Sequence, residues 1–176
     1  MERKKVLGIS GSLSENSANN SILRIAGRLM AAEFDFSLYN GLGQLPHFNP
    51  TTDNQPAHPE VQRLRNELKS ADAVLISTPE YAFGVPGSLK NALDWTVSSG
   101  ELVGKPLALI TASLSGEKAH AALLQIFTAL SADIQPGRSL LIPFVRSKLA
   151  PDGNFIHASD EEAVVRLIDS LRSALL

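Results

Sequence analysis

Ser10-Gly11-Ser12-Leu13-Ser14-Glu15-Asn16-Ser17-Ala18-Asn19-Asn20 places four serines and three asparagines within eleven residues. Hydroxyls and amides at that density are neutral hydrogen-bond donors. At a helix N-terminus, where backbone N–H groups lack partners and the dipole is positive, they would surround one anion such as a phosphate. Ordinary capping explains one such residue rather than seven, so the crowding favours the anion. The segment has neither the GxxxxGK[ST] spacing of a triphosphate loop nor the GxGxxG of a dinucleotide site. Gly8-Ile9-Ser10-Gly11-Ser12 imitates a nucleophile elbow, but that turn requires Gly where Ser12 stands, and a serine hydrolase is set aside.

A second chemical cluster is Thr78-Pro79-Glu80-Tyr81-Ala82-Phe83-Gly84-Val85-Pro86-Gly87. Two prolines and two glycines in the nine residues from Pro79 to Gly87 fix an unusual backbone path. The aromatics Tyr81 and Phe83 in such a loop suit a planar ligand. Burial under a neighbouring loop, or in a subunit interface, explains them equally well. The histidines, His47, His58, His120 and His157, include no pair at metal-ligand spacing, and no metal site is expected. His120 alone falls near the expected site, where a surface position is expected. Leu93 and Trp95 are expected in the core or an interface. Arg138 and Arg146 are weighed as contacts to the phosphate of a nicotinamide co-substrate, but nothing in their spacing supports that.

These residues need elements to hold them. Val6–Ile9, Ala73–Ile76 and Leu107–Ile110 are short apolar bursts, as strands buried on both faces should be. Phe34, Phe36 and Leu38 alternate with Asp35, Ser37 and Tyr39, predicting an edge strand with those three apolar residues inward. Ser139–Ile142 is a fifth strand, and Pro143 marks its end or an edge position. Between them run stripes with helical period: Ile22, Ile25, Ala26, Leu29 and Met30; Val61, Leu64, Leu68 and Ala71; Leu89, Ala92, Leu93 and Val97. Ala119 to Leu130 forms the next helix. A last one is predicted to start at Ser159, capped reciprocally with Glu162, and to bury Val164, Leu167, Ile168, Leu171 and Leu175.

Strands alternating with helices mean a three-layer α/β fold around a parallel sheet. With strands two and five at the edges the order is 2-1-3-4-5, the five-stranded doubly wound arrangement of flavodoxin-like proteins. Strand order then reverses between strands one and three. Ligands bind beside such a switch point, where the loops after Ile9 and Ile76 meet and the loop after strand four lies alongside. The segment from Asn40 to Pro59 is long, irregular and rich in Pro, Asn, Gly and Thr, hence functional or poorly ordered.

Composition bounds the partners. The chain has 176 residues, 44% hydrophobic, 16 Lys and Arg against 18 Asp and Glu, a net charge of −2, and no cysteine. That length fits one domain spanning residues 1–176. The balance offers no basic field for nucleic acid or anionic lipid. Without cysteine there is no disulfide, thiolate metal site or thiol nucleophile. No leader-like or membrane-spanning apolar run is read, and a cytoplasmic location is expected.

Gly11-Ser12 with Ser17 and Asn19, Thr78-Pro79-Glu80-Tyr81, Pro86-Gly87, Leu89-Lys90-Asn91-Ala92-Leu93-Asp94-Trp95 and Gly104-Lys105-Pro106 together resemble the NADPH-dependent FMN reductase family. That family is flavodoxin-like and includes flavin, quinone, azo-dye and chromate reductases. The resemblance covers about two-thirds of the chain, through the helix beginning near Gly116. It implies that Ser10, Ser12, Ser17, Ala18 and Asn19 bind the FMN phosphate, that Pro79, Glu80, Tyr81, Ala82 and Phe83 line the isoalloxazine ring, and that Ser113, Ser115 and Gly116 close its other edge. It also implies NADPH or NADH as co-substrate, a small-molecule electron acceptor, and a homodimer or homotetramer. Chemistry centred on the flavin requires no catalytic side chain.

The chain departs from the family pattern at three places. The family commonly has Arg where this chain has Ser14, and Asn-Gly where it has Ala82-Phe83. Its glycine-rich loop after strand four is reduced here to Gly116-Glu117-Lys118. A missing charge-assisted phosphate bond, worth roughly 1.5–3 kcal/mol, predicts flavin that is easily lost. A flavodoxin-fold binding protein without redox turnover is the alternative these departures leave open.

Overall fold

A computed structural model describes residues 3–53 and 58–175. The sheet is fully parallel, in the order β2-β1-β3-β4-β5. Its strands are β1 (Lys5–Ser10), β2 (Asp35–Tyr39), β3 (Ala73–Thr78), β4 (Leu107–Ala112) and β5 (Ser139–Ile142). The helices are α1 (Ala18–Met30), α2 (Pro59–Ser70), α3 (Gly87–Asp94), α4 (Glu117–Ala129) and α5 (Ala158–Ser173). All six residues of β3 and of β4 are buried, because helices cover both faces of the sheet. One apolar cluster joins Val6, Leu75 and Ile110 to Ile22 of α1 and Leu167 of α5. The other joins Leu7, Val74 and Leu109 to Leu64, Leu89 and Phe127 from α2, α3 and α4.

The sheet order and the edge positions of β2 and β5 agree with the sequence reading, and four local expectations are corrected. In β2, Leu38 is 44% exposed and Tyr39 is buried, because the odd-numbered face at this end packs on α2. Helix α3 ends at Asp94, so Val97 lies beyond it and is exposed. Helix α5 starts at Ala158 with His157 at the cap position and no side-chain capping bond, so Ser159 already lies inside the helix and the box with Glu162 does not form. His120 is half-buried rather than on the surface, with Nδ1 2.9 Å from Thr111 Oγ1 of β4.

The long segment after β2 is largely ordered by α3; its residues 54–57 lie outside the described part. After a 3-10 turn over Leu42–Gln44, the Pro46 carbonyl accepts from Trp95 Nε1 at 2.9 Å and from Asn91 Nδ2 at 3.0 Å. Asn91 Oδ1 in turn accepts from the Phe48 amide at 2.7 Å, and the Phe48 ring meets Trp95 edge-on, centroids 5.1 Å apart. Trp95 and Leu93 are therefore core residues.

Candidate functional site

Where β1 ends, the chain must cross the end of β3 before α1 can start. The Gly11 amide donates to the Ser77 carbonyl at 2.8 Å, and a Cβ on residue 11 would lie 2.0 Å from Thr78 Oγ1. Only glycine passes that close. Short serine bonds then shape the turn: Ser10 Oγ accepts from the Ser12 amide at 3.2 Å, and Ser12 Oγ from the Ser14 amide at 3.3 Å. Ser17 is the N-cap of α1, its Oγ accepting from the Asn20 amide at 3.2 Å. The amides of Ala18 and Asn19, at the start of the helix, have no acceptor among the described residues. They supply the positive helix end that an anion requires.

Asn19 itself is a strut. Its Nδ2 donates to the Ala112 carbonyl at 3.1 Å, and its Oδ1 accepts from Ser77 Oγ at 2.8 Å, all buried. Its side chain thus ties α1 to the ends of β3 and β4, and its backbone amide is left without an acceptor among the described residues.

The loop after β3 forms a tight hairpin. The Tyr81 amide donates to the Gly84 carbonyl at 3.0 Å and the Gly84 amide to the Tyr81 carbonyl at 2.9 Å. Between them Ala82 (φ +48°) and Phe83 (φ +59°) both take the left-handed conformation. Two positive φ values in a two-residue connection define a type I′ turn, which Asn-Gly fits without strain. Ala and Phe each cost about 1 kcal/mol there. The turn presents Tyr81, 56% exposed, and Phe83, 78% exposed.

Glu80 joins this loop to the next. Its carboxylate accepts from Ser115 Oγ at 2.9 Å, from the Gly116 amide at 3.3 Å and from the Ala119 amide at 2.8 Å. Its own amide donates to Ser113 Oγ at 3.1 Å. Burial pushes the carboxyl up, but the bonds from Ala119, Ser115, Gly116 and Lys118 outweigh it and hold its pKa below the ordinary value. Gly116, at φ +92°, caps α4. On the far side of the same strand end, burial lowers the His120 pKa, so its imidazole is held neutral against Thr111.

These loops enclose a cavity of about 850 Å³. Ser12, Ser17, Ala18, Asn19, Pro79, Glu80, Tyr81 and Ser113, of the residues the sequence singled out, line it. Ser10, Ala82, Phe83, Ser115 and Gly116 do not; they shape the loops from behind or stand outside the mouth. The segment after β5 forms one more wall, with Phe144, Arg146 and Pro151; of these the sequence raises Arg146 alone, for a nicotinamide phosphate and without support from spacing. The positional signal of this segment is that it follows the carboxyl end of a strand, the side of an open α/β sheet on which ligands bind.

The model of the NADPH-dependent FMN reductase family matches residues 4–146. The chain belongs to this family. It is 28% identical over 156 residues to a quinone reductase of Escherichia coli, covering 85% of this chain and 83% of that one. It is 32% identical over 176 residues to an NADH:(hydroxy)cinnamate reductase subunit of Vibrio ruber, covering 97% and 85%. Among solved structures, a flavoenzyme NAD(P)H:(acceptor) oxidoreductase of Paracoccus denitrificans superposes with a TM-score of 0.83 at 28% identity, covering 96% and 94%. Within the FMN reductase family the activity is flavin-dependent NAD(P)H oxidation, and this chain is an oxidoreductase of that kind.

The residues present fit FMN. Free amides at the start of α1 lie in the same cavity as the Pro79–Tyr81 backbone and the Tyr81 ring, so an anion position and a planar wall are joined. The volume falls within the range of about 300–1,000 Å³ typical of small-molecule and cofactor sites.

Proposed function

We propose that this chain is an NAD(P)H-dependent reductase of quinone-class acceptors in which FMN places its phosphate on the amides of Ala18 and Asn19 and its ring against Pro79 to Tyr81. The observation that carries this reading is the cavity in which unpaired helix amides and an exposed aromatic share one wall. Bound FMN supplies hydride acceptance from a nicotinamide and electron release to a second substrate. The protein orients and shields. Ser12 and Ser17 border the anion position, Asn19 holds α1 against the strand ends, and Glu80 fixes the loops on both sides of the ring. His120 does not line the cavity, and the Glu80 carboxylate is bonded to the start of α4, so neither is given a proton-transfer role.

Relatives named quinone reductase and 2-hydroxy-1,4-benzoquinone reductase support a small planar acceptor. Leu114, 75% exposed, Phe144 and Tyr81 are exposed apolar residues of the cavity lining, and exposed Phe83 follows Tyr81 in the hairpin turn. Apolar side chains gathered this way support a homodimer or homotetramer closed over the flavin. Among the described residues no helix is long and apolar enough to cross a membrane; we place the enzyme in the cytoplasm. Steady-state NADPH oxidation with a benzoquinone, on FMN-supplied protein, tests the reading. Turnover that requires both FMN and quinone supports it. Tight FMN binding without turnover would instead identify a binding protein.

A further inference from the structure

Among the described residues, two charged side chains line the cavity, those of Glu80 and Arg146. The Glu80 carboxylate is consumed by the start of α4. Arg146 has no ion pair and no side-chain hydrogen bond among the described residues. Two other cations flanking this segment are engaged: Arg138 is buried against Asp133 at 2.9 Å, and Lys148 pairs with Asp160 at 2.5 Å. The backbone that carries Arg146 is fixed nonetheless. Phe144, at φ +52°, donates its amide to the Leu114 carbonyl at 3.0 Å, and the Val145 amide donates to Ser113 at 3.1 Å. The Phe144 carbonyl then accepts from the Ser147 amide at 3.0 Å and from Ser147 Oγ at 2.8 Å. A non-glycine residue in the left-handed region and four bonds thus hold one turn, Val145–Ser147, against the cavity.

An uncompensated guanidinium in a cavity that also holds a positive helix end attracts an anion, and a dianionic oxyanion suits its planar fork of donors. The serines and amides of the loop after β1 contribute only neutral donors. We propose that Arg146 pairs with the phosphate of bound FMN and makes the site select FMN over riboflavin. This rests on the FMN-binding reading above and adds to it a residue from outside the motif-bearing loops.

Fluorescence titrations with FMN and with riboflavin, on wild type, Arg146→Ala and Arg146→Lys, test it. The wild type should prefer FMN. Arg146→Ala should raise the Kd for FMN about ten- to a hundredfold and leave riboflavin binding within about twofold, with Arg146→Lys between. Added salt should narrow the gap between wild type and Arg146→Ala. Because Arg146 is exposed, unchanged thermal unfolding of the apo variants accompanies these results. An unchanged FMN Kd in Arg146→Ala, or equal losses for both flavins, overturns the proposal. So does an unchanged FMN Kd with a higher KM for NADPH but not NADH, which would give Arg146 to the co-substrate's phosphate. Wild type that binds neither flavin overturns the functional reading and this proposal together, whereas wild type that binds FMN with no effect at Arg146 overturns this proposal alone.

Discussion

Ser77 Oγ donates to Asn19 Oδ1 at 2.8 Å in the buried space between β3 and α1, and the Asn19 amide nitrogen completes the link to β4 through the Ala112 carbonyl. A residue whose type suggested a ligand contact is thereby a brace that sets the helix end. Asn19→Ala should lower stability by about 2–4 kcal/mol, since it leaves a buried hydroxyl and a carbonyl without partners. Denaturant unfolding reads this. At temperatures where the variant is folded, FMN affinity should change little, because the backbone amides of residues 18 and 19 remain.

The hairpin at Ala82-Phe83 stores strain that Asn-Gly would relieve. The double variant Ala82→Asn/Phe83→Gly should raise stability by about 1–2 kcal/mol, the strain relieved at both positions less the backbone entropy that glycine adds, seen as a higher denaturant midpoint at constant m-value. No gain would mean that the left-handed backbone is offset by contacts of Phe83.

Glu80 makes stability depend on acid. Its folded pKa is depressed, so its contribution is fully present above the ordinary value of 4.5 and is lost as pH falls through the lowered value. Glu80→Gln should cost about 1–2 kcal/mol at pH 7. In urea unfolding over an acid series, the difference from wild type should shrink towards zero.

Tyr39 does the opposite in alkali. Burial pushes its hydroxyl from 10.0 up to about 12, even with the Arg63 guanidinium 5.7 Å from its ring, and the oxygen has no partner among the described residues. A raised folded pKa gives stability that is present below pH 10 and lost as pH rises towards 12. Tyr39→Phe should abolish that alkaline loss and add about 1 kcal/mol at neutral pH. Thermal melts between pH 7 and pH 11 check both.

The sheet order was readable because β3 and β4 are apolar on both faces while β2 alternates and β5 ends at a proline. Tyr39 was not, since a hydroxyl-bearing residue at the end of an alternating strand reads as wet although its ring fills the space beside α2. Ser159 and Glu162 have the spacing of a capping box, yet the chain turns helical at Ala158 and leaves the serine one step too far in. At the site, residue type pointed to the loop after β1 but not to which of its members line the cavity: the Asn19 side chain, read as a ligand contact, is a brace between α1 and the strand ends. Arg146 has no motif around it. Only the fold brings the segment after β5 to the cavity.

An anaerobic titration of FMN-reconstituted protein with NADPH, followed in the flavin absorption band, tests the central claim most directly. Stoichiometric bleaching, reversed on adding a benzoquinone, is the predicted result. Bound FMN that stays oxidised under excess NADPH and NADH would contradict the account.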